Sequence, residues 1–194
     1  RMVYLSVIMA MYVGNQKAMI DGMKNYRSIA KALLEKMDKL AESVVEEHKE
    51  TDLFITLGQG SYYGIANECM NKMKEMGLSN SEAYYSMEYR HGPMSLVGEN
   101  TLIISLCHGK TRDQDAGIIK EMKSYGATTV AIGKEVSKSI PDADYTLDLD
   151  YDYNDDQYAP LIGFIGQFIG YYIADKKNID ADSPRHLAQA IVIK

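Results

Sequence analysis

An open, doubly wound α/β sheet is the fold class this sequence predicts. Three observations carry the prediction. Short apolar runs rich in Ile, Leu and Val recur at Asp52–Leu57, Thr101–Leu106 and Thr128–Ile132, and each is short enough to be a buried strand. Between them lie stretches of about ten to sixteen residues with helical apolar spacing. Strands alternating with helices imply parallel pairing through right-handed crossovers, because parallel neighbours cannot be joined by a tight turn. Gly, Ser and Thr gather where the runs end, at Gly58-Gln59-Gly60-Ser61 and Ser105–Thr111. In open sheets of this class, ligands sit beyond those carboxyl ends.

The elements follow in order. Residues 15–48 read as helix, with Ile20, Met23, Ile29, Leu33, Leu34, Met37, Leu40 and Val44 recurring among charged residues. The first strand, Asp52–Leu57, closes at Gly58–Ser61. Ser61 is a suitable N-cap for a helix that runs to about Met76 and ends at Gly77. A short strand near Glu82–Tyr85 leads to the corner Glu88-Tyr89-Arg90-His91-Gly92-Pro93. Thr101–Leu106 is the next strand, followed by a helix from about Gln114 to Tyr125 with Gly126 just past its end. Thr128–Ile132 is a strand, and Tyr145–Leu147 adds a fourth or fifth. Tyr158–Ala174 reads as one apolar helix whose Gly163, Gly166 and Gly170 suit close packing in a core or subunit interface. The chain closes with the tail Pro184–Lys194.

Composition narrows the function classes. With 46% hydrophobic and 25% charged residues the chain reads as an ordinary globular domain, and 194 residues can bury a real core. A net charge of -6 gives no electrostatic ground for nucleic-acid binding. The opening run Met2–Val13 mimics a signal-peptide core but is too short to span a bilayer. It suits a buried helix, as in a chain cut from something longer. Cys69 and Cys107 sit in apolar segments and read as buried free thiols, which suits a reducing cytoplasm. The four histidines show no paired ligand spacing. The acidic run Asp148–Asp156 lacks the central Gly and final Glu of a calcium loop and reads as a solvated loop. No metal or organic cofactor is expected.

Chemistry concentrates on the helix after Ser61. At about 100° per residue, with Ile65 at zero, Cys69 falls near 40°, Met73 near 80° and Met76 near 20°, forming a core stripe. Glu68, Lys72 and Glu75 fall near 300°, 340° and 280°, a polar stripe bordering it. The plain reading of that stripe is a surface ion pair between Glu68 and Lys72, worth roughly 0.3–0.5 kcal/mol. The functional reading is a carboxylate half buried against Met and Cys, with its proton affinity raised for use as a base. His91 is the natural second member, because imidazole exchanges protons near neutral pH and Gly92-Pro93 fixes the backbone after it. It also reads as an ordinary turn histidine.

Taken in order, Gly58-x-Gly60, Ala66-Asn67-Glu68, Lys72-Met73-Lys74-Glu75, Glu82-Ala83-Tyr84, Arg90-His91-Gly92-Pro93, Ala159-Pro160 and Asp182-Ser183-Pro184-Arg185-His186-Leu187-Ala188-Gln189 resemble the second sugar-isomerase (SIS) domain of glucosamine-6-phosphate synthase-type proteins. Related deglycases and deaminases of aminosugar phosphates share that pattern. The resemblance implies a αβα sandwich at 49–194 with a catalytic tail. Residues 1–48 would be a helical lead-in from a first SIS domain. It implies Glu75 as the base at the sugar's first two carbons and His91 acting on ring opening or the sugar oxygens, often in a neighbouring subunit's site. Lys72 would lie near the substrate, with Ser61, Glu68, Ala188 and Gln189 contacting it. The implied partners are a phosphorylated sugar or aminosugar and a second copy of the chain, giving a homodimer or larger assembly.

This chain departs from the family pattern in the tail, where synthases carry a lysine and Gln189 can be neither cationic nor an imine former. That points toward deglycase or deaminase chemistry. The phosphate loop of first SIS domains reads roughly Ser-x-Ser-Gly-x-Thr. The nearest stretch here, Cys107-His108-Gly109-Lys110-Thr111, keeps Gly and Thr but has His108 in a serine position, and its backbone amides could still take an anion. The alternative function is a non-catalytic phosphosugar-binding module, sensing or structural.

Overall fold

A computed structural model describes residues 9–15 and 17–187 of the chain. The helical stretch expected over 15–48 is interrupted: α1 (Lys17–Gly22) gives way to a 3₁₀ turn at Met23–Asn25 before α2 (Tyr26–Glu47) begins. From there β1 (Leu53–Gly58), α3 (Ser61–Gly77), β2 (Asn80–Tyr85) and the single turn α4 (Ser86–Tyr89) follow. A 3₁₀ turn at Pro93–Leu96 then leads to β3 (Thr101–Leu106), α5 (Arg112–Ser124), β4 (Thr128–Gly133), the short α6 (Val136–Ser139) and β5 (Tyr145–Asp148). The apolar helix expected over 158–174 is in fact two, α7 (Asp155–Ile162) and α8 (Phe164–Lys176), parted at Gly163. Pro160 inside α7 has no N–H to give the ladder, so the one sequence signal of the break is that proline, the apolar pattern itself running on through it.

The five strands are all parallel in the order β2-β1-β3-β4-β5. The chain steps outward from β1 to β2, returns to β3 and continues the other way, so the order reverses between β1 and β3. β1, β3 and β4 are buried throughout, as their continuous apolar runs require. β2 is an edge strand and carries the polar residues an edge needs.

Alternate side chains divide between two faces. On one face Phe54, Leu102, Ile104 and Val130 pack against α3, α8 and α2, whose Leu33, Met37, Ala41 and Val44 join the same core. On the other, Leu53, Ile55, Leu57 and Ile103 pack against Tyr89 of α4 and against Ile118 and Met122 of α5. The glycines of α8 are packing glycines within the chain: a Cβ on Gly166 would lie 2.4 Å from the Cα of Cys69, and one on Gly170 3.1 Å from the carbonyl oxygen of Lys72. α3 and α8 therefore touch backbone to backbone, and this face of α8 is not available to a second subunit.

Two turn details depart from expectation. Gly60, at φ 55°, is the residue capping α3, and Ser61 is its first helical residue with no side-chain cap bond. At the far end Gly77 is still helical, and Leu78 takes the left-handed conformation in its place. Gly77 is needed for contact instead, since a Cβ there would meet Ile173 at 3.0 Å. Cys69 and Cys107 are both buried free thiols.

Candidate functional site

The polar stripe of α3 forms as its helical spacing requires. Lys72 Nζ lies 2.7 Å from Glu75 Oε2 and 3.8 Å from Glu68 Oε1. Asn71, one helical turn before Glu75, donates its amide to Glu75 Oε1 at 2.9 Å. Ile65, Cys69 and Met73 beside it are buried, while Met76 is only half covered. The expected rise in the proton affinity of Glu75 is overturned. The Lys72 ammonium, aided by the Asn71 amide, holds the carboxyl below its usual range and outweighs the opposing effect of burial. Lys72 is correspondingly raised, chiefly by its bond to Glu75. Glu75 is thus an ionised carboxylate with one ammonium and one amide fixed on it.

Glu68 opens onto a cleft of about 430 Å³ between α2, α3 and the α7–α8 junction. Tyr26, Leu34, Ile65 and Phe164 give it apolar walls, and Gln167 adds a second polar group to Glu68. Such a mix of apolar lining and a few convergent polar groups suits a small polar ligand or a docked segment.

His91 stands elsewhere. Its backbone N–H donates to the Glu88 carbonyl at 3.0 Å, Gly92 takes φ 142°, which L side chains rarely adopt, and Pro93 opens the following 3₁₀ turn. Arg90 Nε reaches Glu121 Oε2 at 2.8 Å and pins the corner to α5. The corner is fixed, and the imidazole is exposed. It follows α4, on the sheet face opposite α3. Glu75 lies in the last turn of α3, about 21 Å along the helix from Ser61, at the end where β2 begins. Within one chain, then, Glu68, Lys72 and Glu75 are together, Ser61 lies at the other end of their helix, and His91 is across the sheet. Ala188 and Gln189 fall outside the described residues.

A third cluster lies at the carboxyl ends of β1 and β3. Asp155 Oδ2 accepts the Gly109 N–H at 3.1 Å and lies 3.4 Å from His108 Nδ1, while Oδ1 accepts the Tyr62 hydroxyl at 3.1 Å. The acidic run is accordingly not a merely solvated loop: Asp150 pairs with Lys36, and Asp148 binds both the backbone N–H and the hydroxyl of Ser137. Sequence reasoning passed over Asn71 and Asp155. The first was detectable as an i,i+4 neighbour of Glu75, whereas nothing local announces a contact across 46 positions.

The fold and these clusters define a doubly wound α/β domain with a charged helix stripe beside an apolar-walled cleft. The family model for the SIS domain matches residues 30–174; the chain belongs to the SIS domain family. It is 30% identical over 176 residues to glutamine–fructose-6-phosphate aminotransferase (isomerizing) of Francisella tularensis subsp. tularensis, a match that covers 90% of this chain and 29% of that protein. Among solved structures it is similar to glucosamine-6-phosphate deaminase from Thermotoga maritima, at 32% identity and a TM-score of 0.68 over 81% of this chain and 46% of that one. Tagatose-6-phosphate ketose/aldose isomerase from Escherichia coli shares the fold at 23% identity, with a TM-score of 0.72 over 87% of this chain and 48% of that one. The chain thus spans less than a third of that curated relative and about half of each solved neighbour. Among the described residues no helix is long and apolar enough to cross a membrane.

Proposed function

We propose that this chain is the C-terminal SIS domain of an enzyme that acts on an aminated hexose 6-phosphate by general acid/base proton transfer, as an isomerase, deglycase or deaminase. The observation that supports it is the Asn71–Glu75–Lys72 arrangement, a carboxylate kept ionised and aimed by two donors on a rigid helix. Glu75 takes a proton at the sugar's first or second carbon. Lys72 holds it as a carboxylate at rest; when Lys72 turns to a substrate oxygen, Glu75 loses its ammonium partner and its proton affinity rises. The base is therefore strengthened by substrate. Glu68, Ala188 and Gln189 are assigned to substrate contact, and His91 is the acid. Ser61, about 21 Å along α3 from Glu75, would have to contact substrate in a site other than the one its own Glu75 serves.

The sheet stands between Glu75 and His91 of one chain, so the reading requires a dimer or larger assembly in which His91 serves the partner's site. An exposed apolar surface beside the corner suits such a boundary. Leu96 is 65% and Tyr125 47% exposed, and Tyr125 lines a shallow cleft of about 530 Å³ together with Gly92, Met94 and Val97. Gln189 in place of a lysine directs the assignment toward release of amine rather than synthase-type isomerisation.

The test is turnover by the full-length protein on fructosamine 6-phosphate and glucosamine 6-phosphate, against fructose 6-phosphate and glucose 6-phosphate. Glu75→Gln is expected to cut turnover by roughly 10²–10⁴-fold with the fold intact. Near-normal turnover in that variant would end the catalytic reading. The same separation of His91 from Glu75 also favours a second reading, a phosphosugar-binding module without catalysis. Phosphosugar binding with no turnover on all four substrates would decide for it.

A further inference from the structure

A strand leading into a helix through a glycine-bearing loop ordinarily offers backbone N–H groups to an anion. Here β3, residues 107–111 and α5 make that arrangement beside the point where strand order reverses. The chain has filled the seat itself. The Asp155 carboxylate accepts the Gly109 N–H at 3.1 Å, and Gly109 is the residue that admits it, since a Cβ there would come within 3.2 Å of Oδ2. Its other oxygen takes the hydroxyl of Tyr62, a side chain with no exposed surface in the first turn of α3. His108 lies against the same carboxylate, with its Nδ1 accepting the Lys110 N–H at 3.2 Å and its ring edge-on to Tyr62 at 5.6 Å. Of the other loop amides, Thr111 donates to the His108 carbonyl and Cys107 to the Ile132 carbonyl. Asp155 is held in place by a reciprocal cap on α7, in which Asn154 and Gln157 each accept the other's backbone N–H at 3.0 Å. One carboxylate thus ties the loops after β1, β3 and β5 together.

We infer that Asp155 is the resident anion of this domain's own switch-point crevice, closing it to phosphate, so that a small oxyanion can enter loop 107–111 only in competition with that carboxylate. The closure does not depend on what α3 catalyses. It does require that any phosphorylated ligand of this chain place its phosphate away from loop 107–111.

Asp155→Ser in the 194-residue chain tests this, with inorganic phosphate as the probe and chloride at matched ionic strength as the reference. The variant leaves the Tyr62 hydroxyl and the Gly109 N–H without their acceptor, which lowers the melting temperature by roughly 4–8 °C. Millimolar phosphate restores much of that loss and shifts the amide resonances of Gly109, Lys110 and Thr111. The unaltered chain shows neither response beyond the general salting effect that both proteins share. If phosphate shifts the same amides in the unaltered chain at similar concentration, the crevice is open and the inference fails. It fails equally if Asp155→Ser melts like the unaltered chain and ignores phosphate. Should that variant not fold, Asp155→Asn, which keeps the shape and removes the charge, carries the test. Phosphate-induced amide shifts at lower concentration than in the unaltered chain support the inference, and identical indifference overturns it.

Discussion

Asp115 shows how far a single buried group can oppose the fold that contains it. It has no exposed surface, and its Oδ2 accepts the Thr111 hydroxyl at 3.0 Å. Its Oδ1 makes no well-formed hydrogen bond, although the Ser86 hydroxyl and the His108 backbone are near enough to favour the anion. Burial pushes its carboxyl up to about 6, against the pull of Thr111, Ser86 and the His108 backbone; its place in the first turn of α5 also favours the anion. An acid raised in the folded state binds its proton more tightly there than when unfolded. Folding therefore gains most while the group is neutral, and stability from this residue falls as pH rises from about 4 to about 6, then stays low. Asp115→Asn should raise the unfolding free energy measured by urea denaturation near neutral pH by on the order of 2 kcal/mol, with the gain shrinking toward about pH 4. A gain independent of pH would show that the Asp115 pKa is the same in the folded and unfolded chain, so that burial does not raise it. Glu75 has the opposite sign. Lys72 and Asn71 depress it, so its contribution is present above its unfolded pKa and is lost as pH falls through the folded one. Lys72→Met should accordingly raise the Glu75 pKa, readable from the carboxyl carbon by NMR titration. An unmoved titration would remove Lys72 as the cause.

At the scale of elements, the contact of α3 with α8 makes three glycines behave differently. Gly166→Ala drives a Cβ into the Cα of Cys69, which is backbone and cannot step aside, so it should cost about 1–3 kcal/mol despite alanine's better helix propensity. Gly163→Ala meets Ile65 Cγ2 at 3.5 Å and the Ala159 carbonyl oxygen at 3.9 Å, both ordinary contacts, and should be nearly neutral. Gly64→Ala, exposed on α3 with nothing within 4 Å, should stabilise by about 0.5–1 kcal/mol. Chemical denaturation ranks the three, and equal effects would contradict backbone contact. The sequence announces that Gly166 and Gly170 pack closely, but not against what. Strands Leu53–Gly58, Thr101–Leu106 and Thr128–Gly133 were readable because a strand buried on both faces must be apolar throughout. The split of the last helix pair was signalled only by Pro160 and was missed because apolar residues run through it unbroken. In the site, helical period alone places Glu68, Lys72 and Glu75 in one row. The direction of the Glu75 shift was missed because apolar neighbours are visible in sequence, whereas the 2.7 Å bond that outweighs them is a matter of rotamers. Which face of the sheet receives Tyr89 and carries His91 past it is a property of topology, beyond any local pattern.

For the whole molecule, the sheet between Glu75 and His91 makes the proposed chemistry a property of the assembly. A cyclic dimer contains each contact twice, so a site built from Glu75 of one protomer and His91 of its partner occurs twice. Glu75→Gln and His91→Ala proteins should each be nearly inactive as pure assemblies. Unfolded together and refolded in equal amounts, they form mixed dimers in about half of cases, and each mixed dimer holds one site with both residues native and one with neither. Turnover should then return to roughly a quarter of the unaltered value. A site contained in one chain gives no recovery, because every protomer in the mixture lacks one member. The experiment also separates catalysis from stability, since neither residue is buried and both pure variants should melt close to the unaltered protein. Absence of recovery in correctly assembled mixed dimers would place His91 outside the site of Glu75, and the acid would have to be sought elsewhere on the α3 face.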